Sequence, residues 1–254
     1  MSSDLSAGRA ALLGLLHGPA ELLPVSSSAH VALAPALLGW DLRLDPAIEK
    51  AFEVALHTGT LAGLLMLVPR PPARRAVLAT LPAAIVGLTL ERPIEGRLGG
   101  PRATAFGLLA GSLVLVVADA RGGSGGRGAE SAGDGDALVL GLAQALALWP
   151  GVSRLGMTVA AARLLGFDRG SAFALGRSVG LPVVVGATAL KGWRLARGGL
   201  ARELRGPFAA GAAAAAGSTL AAAPLRRATA IAPLAAERTA LAVAALVRLR
   251  RSRA

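Results

Sequence analysis

Six stretches of this 254-residue chain, 52–68, 76–90, 103–118, 171–190, 207–223 and 229–247, carry few charges. Each has most of the roughly 20 residues that a helix needs to cross a bilayer. Basic residues bound them, as Arg70, Arg74 and Arg75 do after the first and Arg248, Arg250, Arg251 and Arg253 after the last. That alternation reads as membrane helices joined by basic loops that meet anionic headgroups. Composition agrees, because 54% of the residues are hydrophobic and mean hydropathy is +0.58, too apolar for most soluble domains of this length. A formal charge of +12 would in a soluble domain suggest nucleic acid. Aromatic residues are only 3%, however, and Tyr is absent, so bases would find no stacking platform. No nucleic-acid partner is expected. The absence of Cys excludes disulfides, thiolate metal sites and Cys nucleophiles together.

Two further apolar stretches, 10–39 and 137–166, are broken near their middles. The first is interrupted at Pro24, Val25, Ser26, Ser27 and Ser28, the second at Pro150, Gly151, Val152, Ser153 and Arg154. Irregular backbone at membrane depth survives only where protein or a wet cavity surrounds it. Both stretches are therefore expected to be re-entrant helix–break–helix hairpins. At one constant offset Gly14 pairs with Gly141, His17 with Gln144, Asp41 with Asp168, Gly59 with Gly186, and the run 37–39 with 164–166. The expected fold is thus all-α, a single membrane domain over 1–254 built as an inverted repeat. Residues 10–119 form one half and 137–247 the other, each with one hairpin and three crossings. Residues 120–136, rich in Gly, Ser and charge, are expected to be a flexible divider. Arg9, the apolar run after it and Ser28 with Ala29 imitate a signal peptide, but His17 and Glu21 interrupt that run and the pattern recurs internally. The segment is expected to stay on the mature protein. Basic residues favour the side of Arg9, the 191–205 loop and the C-terminal arginines as cytoplasmic.

The chemistry gathers at the two breaks. An ionised Glu21 inside an apolar helix costs about 2.5–3.5 kcal/mol, which makes it a functional candidate. His17, one turn earlier, shares its face, where the pair can hydrogen-bond, hold a proton or help hold a metal. Ser26, Ser27 and Ser28 follow one break and Ser153 the other, at N-cap positions of the next half-helix. Helix N-termini with unpaired N–H groups are natural seats for phosphate. Arg154 adds a guanidinium able to grip two phosphate oxygens, Thr158 lies one turn on, and His30 stands on the side of Ser27. A cavity containing these groups would suit phosphoryl transfer on a lipid substrate.

These residues carry a resemblance. The segment 14–30, GLLHGPAELLPVSSSAH, is similar to the first signature of the undecaprenyl-diphosphatase family of bacitracin-resistance type, E/Q-x-x-x-E followed by LP-x-SS-x-x-H. Segment 144–158, QALALWPGVSRLGMT, resembles its second, PG-x-SRS-x-x-T. FEVALHTGTLAGLL at 52–65 and GLPVVVGATALK at 180–191 are similar to two further conserved regions of that family. The resemblance implies a multi-pass phosphatase of the bacterial inner membrane. It would convert undecaprenyl diphosphate to the monophosphate carrier of peptidoglycan synthesis and confer bacitracin resistance. Polyprenyl diphosphate and the membrane are the implied partners, and a homodimer stays open. By the same resemblance Arg154, with Ser153, Thr158 and Ser26, would hold phosphate. Glu21, with His17 and His30, would do acid–base work or ligate a divalent cation, Mg²⁺ or Ca²⁺, and the nucleophile is Ser27 or water. The chain departs from the pattern at His17, where the family has Glu or Gln, at His57, where Gln is usual, and at Leu155, which replaces a serine. Arg177 replaces an apolar aromatic inside a candidate span, as a second phosphate ligand or a partner for the buried Glu53. A transporter of polyprenyl phosphate or another anion, and a degenerate lipid-binding paralogue, remain as alternatives.

Overall fold

A computed structural model describes residues 5–40, 42, 44–123 and 126–251. Asp41, and with it the Asp41–Asp168 pairing, lies outside the described residues, as do Ser124, Gly125 and Arg253. The fold is all-α. In chain order the helices are α1 (Ala7–Leu22), α2 (Ser27–Leu37), α3 (Pro46–Leu67), α4 (Ala73–Leu98), α5 (Pro101–Arg121), α6 (Asp134–Leu146), α7 (Arg154–Leu164), α8 (Arg169–Gly198), α9 (Arg202–Ala221) and α10 (Ile231–Arg251). Side chains mark several starts: Asp45 accepts from the Ala47 amide at 2.8 Å to cap α3, and Asp168 accepts from Ser171 at 2.9 Å to cap α8.

Each expected span coincides with one of the long helices α3, α4, α5, α8, α9 and α10. Three of them, Ala73–Leu98, Pro101–Arg121 and Arg169–Arg197, are long and apolar enough to cross a membrane. The other three carry more charge, with Glu49, Lys50 and Glu53 in α3, Arg202, Glu203 and Arg205 in α9, and Glu237 and Arg238 in α10. Large apolar side chains such as Leu81, Ile85, Leu88, Phe106 and Leu113 point outward. Apolar side chains exposed in this way suit contact with lipid. Inside, small residues let backbones approach. Gly14 and Gly18 of α1 and Gly59 and Gly63 of α3 lie against Gly211, Ala212, Ser218 and Thr219 of α9, leaving no room for a Cβ.

The two broken stretches form short helix pairs, α1 with α2 and α6 with α7. At each break one serine takes a left-handed backbone, Ser26 at φ 71° and Ser153 at φ 76°. They are the only non-glycine residues with positive φ among the described residues. Helix α1 packs on α9 and α6 on α4, α5 packs on α10, and α3 meets both α8 and α9. Two buried guanidiniums, those of Arg163 and Arg238, and the part-buried one of Arg226 tie the assembly. Arg163 of α7 donates to Asp119 of α5 at 2.9 Å and to the carbonyls of Phe167 and Gly123. Arg226 donates to the Leu67 carbonyl, and Arg238 is described below.

The divider differs from expectation. Arg127 holds Asp136 through two bonds of 3.1 and 2.8 Å, donates to Ser131 and Leu165, and stacks over Phe167 at 4.2 Å. A Gly- and Ser-rich composition suggests a free linker, but one guanidinium with several acceptors is enough to fix residues 126–136 against the second hairpin.

Candidate active site

Both breaks deliver their polar residues to one place because each ends a helix and begins another there. Glu21 sits in the last turn of α1, Ser27 is the first residue of α2 and Arg154 the first of α7. Ser27 Oγ donates to Glu21 Oε2 at 2.5 Å, and Arg154 Nη2 donates to Glu21 Oε1 at 2.6 Å. Glu21 is nearly buried, so its charge is sustained by these two bonds rather than by water. The Arg154 Nη1 has no partner among the described residues. It lies against the bare Cα of Gly180 on α8, where a Cβ would overlap it. One arm of the guanidinium is thus held by Glu21 and the other is buried and unpaired.

A cavity of about 160 Å³ opens beside this pair between α3 and α8, lined by Glu21, Glu53, His57, Arg154, Thr188 and Lys191 among apolar residues. His17 is fully buried behind Glu21, with its ring edge-on to His57 at 4.5 Å between centroids. Its Nδ1 lies 2.8 Å from Thr60 Oγ1, and its Nε2 has no partner. The His17–Glu21 hydrogen bond allowed by helical spacing is not formed, because Thr60 takes one nitrogen and the other stays open.

Other candidates go elsewhere. His30 is turned away from Glu21, with Nδ1 2.9 Å from the Ser26 carbonyl and Nε2 2.8 Å from Glu237 Oε1 on α10. Both ring nitrogens face acceptors, so His30 has no lone pair free to serve as a base for Ser27. Ser153 caps α7 by accepting from Gly156 at 3.1 Å, as expected. Ser26 makes no side-chain cap, and its hydroxyl lies 3.4 Å from that of Ser28. Thr158 is fully buried and donates to the Arg154 and Leu155 carbonyls of its own helix, so it faces α8 and not the cavity. Arg177 lines a small recess with Glu21 and Arg154 and donates to the Arg226 carbonyl at 3.0 Å. Among the described residues it forms no ion pair with Glu53, which belongs to the larger cavity.

Sequence reasoning missed Arg238. This fully buried residue of α10 donates to the Pro24 carbonyl at 2.6 Å, to Val152 at 2.9 Å and to Gly151 at 3.1 Å. It also donates to Ser112 Oγ at 3.0 Å and to Leu108 at 3.3 Å. Broken helices leave carbonyls unpaired, and here one guanidinium serves both breaks. The available signal was a charge inside the 229–247 span, read there only as part of an apolar run.

Fold and site together define an all-helical membrane protein whose buried polar groups converge where two broken helix pairs meet. The bacitracin resistance protein BacA family profile matches residues 10–74 and 71–230. The undecaprenyl-diphosphatase of Geobacter sulfurreducens is 40% identical, with 80% of this chain and 82% of the relative covered. That of Thermomicrobium roseum is 38% identical over 82% of this chain and 84% of its own. The undecaprenyl-diphosphatase 1 of Paraburkholderia xenovorans is 34% identical over 83% and 82%. The chain belongs to the bacitracin resistance protein BacA family.

Proposed function

We propose that this chain hydrolyses undecaprenyl diphosphate to undecaprenyl phosphate and inorganic phosphate, using Ser27, Glu21 and Arg154. The observation that carries this reading is the 2.5 Å bond from Ser27 Oγ to a carboxylate whose other oxygen is held by Arg154. A hydroxyl paired with a base, beside a guanidinium with one unpaired arm, is a nucleophile next to an anion clamp. Ser27 Oγ attacks the terminal phosphorus and passes its proton to Glu21. The bond from phosphorus to the bridging oxygen breaks, and undecaprenyl phosphate leaves with that electron pair. Water then attacks the phosphoserine, releasing inorganic phosphate and restoring the Ser27 hydroxyl. Arg154 Nη1 meets the charge on the transferring phosphoryl oxygens. The product is the carrier lipid for peptidoglycan synthesis, and its regeneration counters bacitracin.

The protein acts as a multi-pass protein of the bacterial inner membrane, with α1–α2 and α6–α7 as re-entrant hairpins of an inverted repeat. Exchange of the halves supports the repeat, because α1 on α9 becomes α6 on α4, and α3 on α9 becomes α8 on α4. The left-handed Ser26 and Ser153, and the left-handed Gly39 and Gly166, stand at the same offset as Gly14 and Gly141. Repeats with facing broken helices also build transporters, which keeps transport of polyprenyl phosphate as the second reading.

The family resemblance implies Mg²⁺ or Ca²⁺ on Glu21. Such hard cations take several oxygen ligands, whereas the groups that gather with Glu21 are His17 and His57. The residues present do not fit that ion, and no step above passes through it.

Purified protein in detergent should release phosphate from undecaprenyl diphosphate; Glu21→Ala should abolish release and Arg154→Ala should lower it by about 10²–10³-fold. Ser27→Ala should remove any phosphoserine trapped by acid quench. Full turnover in any of the three variants would sink the assignment of that residue. Translocation of lipid phosphate in liposomes without phosphate release would replace hydrolysis by transport.

A further inference from the structure

We propose that His17, Glu21 and His57 form a binding site for a borderline, nitrogen-preferring divalent cation of the zinc or cobalt type. One ligand atom from each of the three lies within 4.8 Å of the other two. Small side-chain rotations suffice to bring three atoms so placed to the roughly 2.0–2.2 Å that such ions require. Two imidazoles and one carboxylate with an open fourth position form a donor set used by catalytic zinc sites, while the hard cations prefer oxygen.

An independent observation points the same way. His17 Nε2 is fully buried and has no hydrogen-bond partner among the described residues. A buried polar atom without a partner costs about 1–3 kcal/mol, and a metal ion removes that cost. Thr60 supplies the outer support: with Nδ1–H donated to Thr60 Oγ1, 2.8 Å away, the lone pair sits on Nε2, the nitrogen left without a partner. Glu21 remains able to ligate, because each carboxylate oxygen accepts a second bond beside those from Arg154 and Ser27. The cavity lined by Glu21, His57 and Arg154 gives the ion a route in. Ion and guanidinium together then present positive charge to the cavity, which deepens the anion selectivity that the proposed hydrolysis requires.

The test reads binding without substrate, so its failure is separable from failure of the phosphatase reading. Detergent-solubilised protein is stripped with chelator and titrated with Co²⁺ alone, followed by ligand-field absorption and elemental analysis. The expected result is one Co²⁺ per chain, displaced by Zn²⁺ and retained in a large excess of Mg²⁺ or Ca²⁺. His57→Gln and His17→Glu should each lose that absorption, and Thr60→Val should weaken Co²⁺ binding about 10-fold. Absence of Co²⁺ binding, displacement by Mg²⁺, or unchanged spectra in the histidine variants would overturn the site. Should a variant fail to fold, the displacement order on the wild-type chain still decides. Phosphate release measured on the same stripped preparation reports on hydrolysis separately.

Discussion

Arg154 and Arg238 are both guanidiniums placed among apolar helices at the hairpin breaks, but their surroundings differ. Arg238 is fully buried and each of its three nitrogens donates, mostly to backbone carbonyls that the breaks leave open. Arg154 keeps 19% of its side chain exposed, has one carboxylate partner, and leaves Nη1 unpaired. A charge that the protein satisfies completely has nothing left to offer a ligand and holds structure. One that is only half satisfied is poised for an anion from outside. Glycine provides the room in both cases, since a Cβ at Gly111 would overlap Arg238 and one at Gly180 would overlap Arg154.

Variants can break this contrast. The largest effect is expected for Arg238→Ala: each carbonyl left unsatisfied costs about 1–3 kcal/mol, and several are released at once. Little folded protein should survive detergent extraction, as size-exclusion profiles would reveal. Arg154→Ala should instead leave the elution profile intact and lower turnover by about 10²–10³-fold, as for removal of one transition-state donor. If both variants fail in the same way, the distinction between the two arginines is lost. Gly180→Ala is smaller: displaced Nη1 should reduce turnover about 10- to 100-fold while Gly186→Ala, in open space on the same helix, changes little. The smallest effect belongs to the loop before α8, where the Ser171 hydroxyl and amide hold Asp168 below its ordinary carboxylate value. Because the folded value is depressed, that capping is present above the unfolded value and disappears as pH falls through the folded one. Asp168→Ala should cost about 1 kcal/mol in thermal melts at neutral pH and nothing once the wild-type carboxyl is protonated.

The positions of the hairpin breaks were legible because proline and serine interrupt otherwise apolar helices, and a charge at membrane depth needs a reason. Glu21 and Arg154 were recognised on that ground and do meet. Contacts that depend on a side chain's direction across helices were not legible. His30 shares a helix face with Ser27, yet it reaches Glu237 on α10, far away in sequence. Thr60 looks like any apolar-face threonine until α1 brings His17 to it. The 120–136 segment has a linker's composition, and the bonds that hold its residues 126–136, those of Arg127 and of the Ala129 amide to Ser171, depend on tertiary position. Arg238 was hidden by its own neighbours, since a single cation in a long apolar run barely alters hydropathy.

Because Arg238 grips Pro24 on one hairpin and Gly151 and Val152 on the other, it works as a rivet through both. Levering the hairpins apart would tear several of its bonds together, so entry of a lipid headgroup by that route is mechanically disfavoured. The α3–α8 side is tied differently, through Arg226, which donates to the Leu67 carbonyl at the end of α3 and whose own carbonyl accepts from Arg177 of α8. There Val54 and Lys191 line both the site cavity and a neighbouring one of about 580 Å³. The rivet thus gives the site two unlike sides, one closed by a guanidinium shared between both hairpins and one lined by neighbouring cavities.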